Sequence, residues 1–400
     1  MTAPAAPAQP RIAVIGGGVL GAATARALAV RGASVTLYER TALAAGTTGT
    51  SFAWVNSHAK KPLSYHDLNA AGLAEHHALG KAGASAPDWF FPSGNLEWAA
   101  DEAGEGRLAA AFAELEDRRY PCCWLEPDRA RALVPDLRIP QQVRRIAYFP
   151  EEGYVLPLPL LARLWGEARD HGAELRCPAE VTGIEERACD VRLELADGTR
   201  ESADLVVTAT GRWSARTAAM AGVSLPMADT TEPGSAAVGL LGYTTPTATR
   251  LDAVLTTPRL NVRPDGGGRL VVQGLDLDVD ADPAAPPPVD GRHAAQLLDR
   301  LAALLHGTQG AGLESLRVGR RALPADGLTV AGRLRPDGRV YALATHSGIT
   351  LGPLLGRLAA QELLTGERDP LLGEFGPGRL TGAAPDSFGK LERPRFAGQQ

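Results

Sequence analysis

Three glycines, Gly16, Gly18 and Gly21, stand in G-x-G-x-x-G register directly after a short apolar run, and Glu39 follows eighteen residues beyond the last of them. Each position has a chemical use. Gly16 permits a tight turn, Gly18 lets the backbone approach a pyrophosphate, and Gly21 lets a helix pack closely on the preceding strand. Val19 and Leu20 stand inside the motif as further cofactor-binding candidates, and the N-terminus of the following helix presents unpaired N–H groups and the positive end of a dipole. Glu39 stands where a carboxylate accepts from ribose hydroxyls. These residues specify an ADP-containing dinucleotide and leave open which one.

The elements that position them are legible. Arg11 to Gly16 (RIAVIG) reads as a buried parallel strand, Ala22 to Arg31 as an Ala-rich helix stopped by Gly32, and Ser34 to Tyr38 as a second strand. Beyond Glu39 and Arg40 lies AAGTTGTSFAWVN, Ala44 to Asn56. Its Thr47, Thr48, Thr50 and Ser51 offer hydroxyl and backbone donors to an anion, while Phe52, Trp54 and Val55 are too apolar for a surface loop. Near the C-terminus, Arg339 to Ala344 reads as a strand, and Leu351, Leu354, Leu355 and Leu358 form the stripe of an amphipathic helix. The turn His346-Ser347-Gly348-Ile349-Thr350 is then a second helix N-terminus aimed at negative charge. Arg259 to Gly274 reads as a hairpin with a Gly-rich turn.

The chain resembles the D-amino-acid-oxidase-type flavoproteins, the group of glycine oxidase and sarcosine oxidase. The resemblance runs nearly end to end. It is carried by Glu39-Arg40 at the end of the second strand, by Gly49-Thr50-Ser51, and by Gly153 to Ile184, with Val181 where a backbone meets the adenine. Asp204 to Ser214, with Gly211 and Trp213 beside the cofactor, and the ATHSGIT turn complete it. The resemblance implies FAD, with Gly348, Ile349, Thr350 and Leu351 by the flavin pyrimidine, where the helix start favours the negative charge of reduced flavin. It implies an α/β fold with a Rossmann-like FAD-binding domain and an α+β, mixed-sheet substrate domain. The FAD domain is expected at 11–88, 150–225 and 322–376, the substrate domain at 89–149 and 226–321, with tails at 1–10 and 377–400.

The implied reaction is oxidation of a C–N bond in an amino acid or N-alkyl amine, with oxygen or another acceptor taking the electrons. Carboxylate recognition would fall to an arginine. Arg321, five residues before Asp326-Gly327, is the candidate, with Arg263 the weaker one; His346 stands where some relatives carry a second arginine. No cysteine lies near Arg321, so FAD is expected to be non-covalent. Lys60 and Lys61 are two of only four lysines; Lys60 could stabilise superoxide during reoxidation, although two solvated loop lysines are the plainer expectation.

Composition narrows the classes. A net charge of −5 with dispersed arginines argues against a nucleic-acid surface and against an anionic membrane. That same charge disfavours the flavin domain of an RNA modifier. A monooxygenase of the aromatic-hydroxylase type would carry a G-D-A-A-H-like sequence where this chain has ATHSGIT, and a plain NAD dehydrogenase would lack the later blocks. MTAPAAPAQP has neither the basic region nor the apolar stretch of a signal peptide. No metal site is expected, and the four cysteines are expected to be buried, reduced thiols. The protein is expected to be cytoplasmic; the oligomeric state is left open.

Overall fold

In the computed structural model, residues 9–81, 88–383, 387–389 and 391–394 are described. Of the expected N-terminal tail only Gln9 and Pro10 fall within them, and much of the expected C-terminal one lies outside. The architecture is α/β and divides into two compact units. One comprises Met1–Gly49, Leu158–Met227 and Ala322–Gly389; the other comprises Thr50–Pro157, Ala228–Arg321 and Lys390–Gln400.

The first unit is built on a six-stranded sheet. Its strands run, in spatial order, Val330–Arg333, Val340–Ala344, Leu205–Thr208, Arg11–Ile15, Ser34–Tyr38 and Glu174–Arg176. Every pairing is parallel except that of the first two. Arg11–Ile15 is central and buried after its first residue, as a β-branched run in a parallel sheet must be. A three-stranded antiparallel sheet, Val181–Glu186, Val191–Leu195 and Arg200–Ala203, belongs to the same unit.

The helices Val19–Ala29 and Gly348–Thr365 lie side by side. A Cβ on Gly356 would come within 2.6 Å of the Ala23 carbonyl carbon, and one on Gly352 within 3.0 Å of Val19. Because positions four apart on one helix meet positions four apart on the other, the two run parallel, with Val19 packed along the first turn of the C-terminal helix. The C-terminal helix is buried along most of its surface, from Ile349 through Leu363, with Arg357 and Gln361 half-buried on one face. Gly and Ala on its remaining faces allow a close neighbour, so the leucine stripe marks only one of its contacts.

The second unit carries an eight-stranded mixed sheet. Its order is Leu313–Arg320, Val238–Thr244, Leu270–Gln273, Asn261–Pro264, Val254–Thr256, Asn95–Glu97, Ile146–Phe149 and Cys123–Leu125. Asn261–Pro264 and Leu270–Gln273 are the hairpin read around the Gly-rich turn. One face packs Leu240, Val262, Val272, Leu255 and Leu96 against Leu297 and Leu301 of the helix Arg292–Leu304. The alternate positions of the same strands form the other face, where Tyr243, Arg263, Asn261, Thr256, Asn95 and Glu97 stand among Leu241, Val271, Val254 and Phe149.

The thiols are not buried: Cys123, Cys177 and Cys189 are exposed and Cys122 is half-buried, all unpaired. Cys123 sits on the outermost strand of its sheet, where a side chain has no neighbour on one flank. Among the described residues no helix is long and apolar enough to cross a membrane, and no group of residues could hold a metal ion.

Candidate active site

In the first unit the glycines behave as their spacing requires. Gly16 adopts φ +111° and leaves no room for a side chain, since a Cβ would lie 2.5 Å from the Ala209 carbonyl oxygen. On Gly21 it would lie 1.9 Å from the oxygen of Gly16. Gly18 differs: only the Thr48 hydroxyl comes within 4 Å of the missing Cβ. Two glycines are therefore closed off by backbone, and the third meets only the Thr48 hydroxyl, at 3.2 Å, beside a helix start.

Val19 donates to Thr48 Oγ1 at 3.1 Å, so the threonine loop caps that helix from outside. No acid occupies the first turn of either parallel helix; the N-cap of one is Gly18, which has no side chain, and that of the other, Ser347, makes no side-chain capping bond. Gly348, at the start of the C-terminal helix, has Val19 beside it at 3.8 Å from its absent Cβ. Two positive dipole ends thus lie near one another, beside the Glu39 carboxylate, which suits a pyrophosphate and a ring that gains negative charge on reduction. Ile349, Thr350 and Leu351 follow as buried residues of that first turn, and His346, half-buried, precedes it.

Glu39 closes the second strand. Its Oε2 accepts from Gly17 N–H at 2.8 Å, and its Oε1 accepts from the Thr41 N–H at 2.9 Å and hydroxyl at 3.2 Å. A carboxylate offers about four acceptor positions, so room for a ribose hydroxyl remains. The Glu39 carbonyl accepts from Ala179 N–H at 2.7 Å, which draws the start of the Val181–Glu186 strand alongside. Gly211, at φ +58°, opens the turn leading to Trp213, whose ring carries the Arg40 guanidinium at 4.0 Å and that of Arg212 at 3.7 Å. Gly46 lies against the same ring. The structure therefore gathers Gly16, Gly18, Val19, Glu39, Thr48 and Gly348 around one helix start, with Arg40 and Trp213 paired nearby.

The second unit places its candidates differently. Arg321 is nearly buried and already engaged: Nη2 bonds Asp278 at 2.9 Å and Nη1 donates to the Ala236 carbonyl at 2.6 Å. Asp278 in turn accepts from Leu240 N–H at 2.8 Å; burial raises its pKa while Arg321 opposes the rise. Removing Arg321 from that pair would strand a buried carboxylate, so it is poorly placed to bind a substrate anion. Arg263 is likewise engaged, with Asp265 and backbone carbonyls.

Sequence spacing gave no sign of a polar row across that sheet face. Arg317 lies over the Tyr243 ring at 4.4 Å and is exposed. Tyr243 pairs with Val271, and Val271 with Arg263, so all three share a face. Asn261, Thr256, Asn95 and Glu97 continue it: Thr256 donates to Asn95 Oδ1 at 3.1 Å and to Glu97 Oε2 at 3.4 Å. Five strand spacings separate Arg317 from Glu97, about 24 Å at ~4.8 Å each, so the two ends are separate features. The available signal was alternation, N-L-E at 95–97 and N-V-R at 261–263, with polar groups where a one-sided sheet would show solvent.

At the far end His58 is sandwiched. Nδ1 meets Glu152 Oε1 and Nε2 meets Glu97 Oε2, both at 2.8 Å, and the ring stacks on Phe149 at 4.0 Å. Glu152, wholly buried, also accepts from Tyr120 Oη at 2.6 Å and from Ser57 N–H at 3.2 Å. Burial opposes charge on His58, but the two carboxylates outweigh it and lift its pKa to about 9. Lys60 is buried here rather than solvated; burial lowers its pKa to about 8, with Glu152 opposing. Lys61 is the surface lysine, paired with Glu114. Thr50 and Ser51 begin this unit, half-buried.

Residues 11–362 match the family described as FAD dependent oxidoreductase (DAO), and the chain belongs to that family. It is an FAD-dependent oxidoreductase. Glycine oxidase of Geobacillus kaustophilus is 27% identical over 376 residues, covering 87% of this chain and 91% of that protein. The crystal structure of glycine oxidase from Geobacillus kaustophilus superposes with a TM-score of 0.76 at 24% identity, covering 94% of this chain and 100% of that one. L-amino acid deaminase from Proteus vulgaris, with its specific insertion sequence deleted, gives 0.79 at 19% identity over 94% and 96%, a likeness of fold. The anaerobic glycerol-3-phosphate dehydrogenase subunit A1 of Haloferax volcanii is 27% identical over 232 residues. That match spans 54% of this chain and only 39% of the longer subunit.

Proposed function

We propose that the protein oxidises a C–N bond of an amino acid or an N-alkyl amine that carries a carboxylate, and that the imine product is hydrolysed by water. Bound FAD supplies the two-electron acceptor. We assign its ADP half to Gly16–Gly21, Glu39, Arg40, Thr48 and the Val181 segment, and the flavin end to Gly348–Leu351 with Gly211, Trp213 and His346. Thr50 and Ser51 complete the loop that meets it, and we take the attachment to be non-covalent. The names of similar proteins, glycine oxidase and L-amino acid deaminase, support a substrate of this class.

The observation that carries the recognition step is the exposed Arg317 guanidinium, which lies over the Tyr243 ring at 4.4 Å. Burial raises the Tyr243 pKa, with Arg263 and Arg317 opposing, so the phenol keeps its proton and can donate. An Arg fork and a phenol donor on one sheet face together suit a carboxylate. We therefore assign to Arg317 the carboxylate-binding role first expected of Arg321. Holding the carboxylate fixes the amine-bearing carbon; a neutral amine then favours loss of its neighbouring hydride, and no protein base is required.

The test is anaerobic mixing of the FAD-loaded protein with glycine, sarcosine, D-amino acids and cyclic imino acids. Bleaching of the yellow flavin by one of these is expected. A loaded protein that none of them bleaches contradicts the reading.

A further inference from the structure

Among the described residues, four that are not glycine adopt a left-handed backbone, and three fall in one stretch: Ala44, Ala53 and Ala59, at φ 62°, 54° and 60°. An L-residue there costs about 1–2 kcal/mol, and such strain survives only where the surroundings fix it, most often at functional positions. Ala53 lies at the end of the threonine-rich loop. Its N–H donates to Ser51 Oγ at 3.0 Å, and its carbonyl accepts from Val155 N–H at 2.9 Å.

The two carbonyls just before it are taken by one side chain. Arg263 donates through Nε to the Phe52 carbonyl and through Nη2 to that of Ser51, the latter at 3.4 Å. Its Nη1 donates to Asp265 Oδ1 at 2.8 Å and to the Pro264 carbonyl at 2.5 Å. The side chain is 1% exposed, and Asp265 balances its charge. A guanidinium with its donors committed in this way has no fork left for a substrate carboxylate. It has the geometry of a backbone clamp, since a planar fork spans adjacent carbonyls and an ammonium does not.

We propose that Arg263 is a positioning residue for FAD: by holding the Ser51 and Phe52 carbonyls it fixes the left-handed turn at Ala53 and so the presentation of Thr50 and Ser51. The proposal rests on the reading of Ala44 to Asn56 as the loop that meets FAD. Without the clamp, two carbonyls lose their donors and Ala53 relaxes toward the right-handed region. A glycine at position 53 takes the left-handed conformation without penalty and offsets part of the loss.

FAD dissociation and the absorption spectrum of the bound flavin are to be measured on the full chain. The variants are Arg263→Lys, Arg263→Gln, Arg263→Gln with Ala53→Gly, and Thr48→Val, each checked by circular dichroism. Both single Arg263 variants should hold FAD about tenfold more weakly, with an altered flavin spectrum, because a charged donor to buried carbonyls is lost. Ala53→Gly should recover about fivefold of that. Wild-type affinity and spectrum in Arg263→Gln, or no recovery from Ala53→Gly, overturns the proposal. If Arg263→Gln does not fold, Ala53→Val carries the test: weakened FAD supports the clamp and unchanged FAD overturns it. If Thr48→Val weakens FAD and the Arg263 variants do not, the clamp alone fails; if neither weakens it, the loop assignment fails too.

Discussion

His58 shows how one side chain can set a pH limit on a fold. Its pKa stands near 9 in the folded protein against 6.5 ordinarily. Its contribution to stability is therefore complete below about 6.5 and is lost as pH rises through about 9. Lys60 works the other way: held near 8 against an ordinary 10.5, its buried charge costs stability below 8, and the cost lifts as pH climbs toward 10.5. The urea midpoint should fall from pH 6.5 to 8 and recover above pH 9. His58→Gln should flatten the first limb and Lys60→Met the second; identical pH profiles in all three proteins would show that neither group is coupled to folding. At the same scale, Arg321→Leu should destabilise by about 3–5 kcal/mol by stranding Asp278, a loss visible in thermal melting. A melting temperature equal to that of the wild type would show the pair to be dispensable.

At the scale of elements, the dinucleotide-binding strand, turn and helix were legible because local residues determine them. Ser34–Tyr38 has the bounds its sequence suggests, and Arg11–Ile15 falls one residue short of its run. The C-terminal helix was legible as a helix but not as a buried one, since what packs on its glycine and alanine faces is more than 300 residues away in the chain, as the approach of Gly356 to Ala23 shows. Gly356→Val should therefore separate two helices whose starts form the anion site. It should cost about 1–3 kcal/mol and weaken FAD retention together, read by melting and flavin content. A loss of stability with FAD affinity intact would uncouple the packing from the site. The polar row on that sheet face was illegible for a related reason. Arg317, Tyr243, Thr256 and Glu97 come from four strands whose adjacency no local pattern encodes, and the Asp278 that engages Arg321 lies more than forty residues away in the chain.

At the scale of the molecule, FAD belongs to the folded state alone, because the helix starts, Glu39 and Thr48 come together only on folding. Removing it should lower the melting temperature, and added FAD should restore it, by about 2.7 kcal/mol at a hundredfold excess over Kd. A melting temperature independent of FAD would contradict the cofactor assignment. The account as a whole stands on amine oxidation with the carboxylate held by Arg317. The most direct measurement is anaerobic flavin reduction by the best amine substrate in the wild type, Arg317→Leu and Arg321→Leu. Arg317→Leu should weaken apparent substrate binding about 10- to 100-fold, the worth of a charged hydrogen-bonded pair. Folded Arg321→Leu should bind substrate as the wild type does. Unchanged binding in Arg317→Leu, or reduction of the flavin equally well by the decarboxylated amine, would contradict the account.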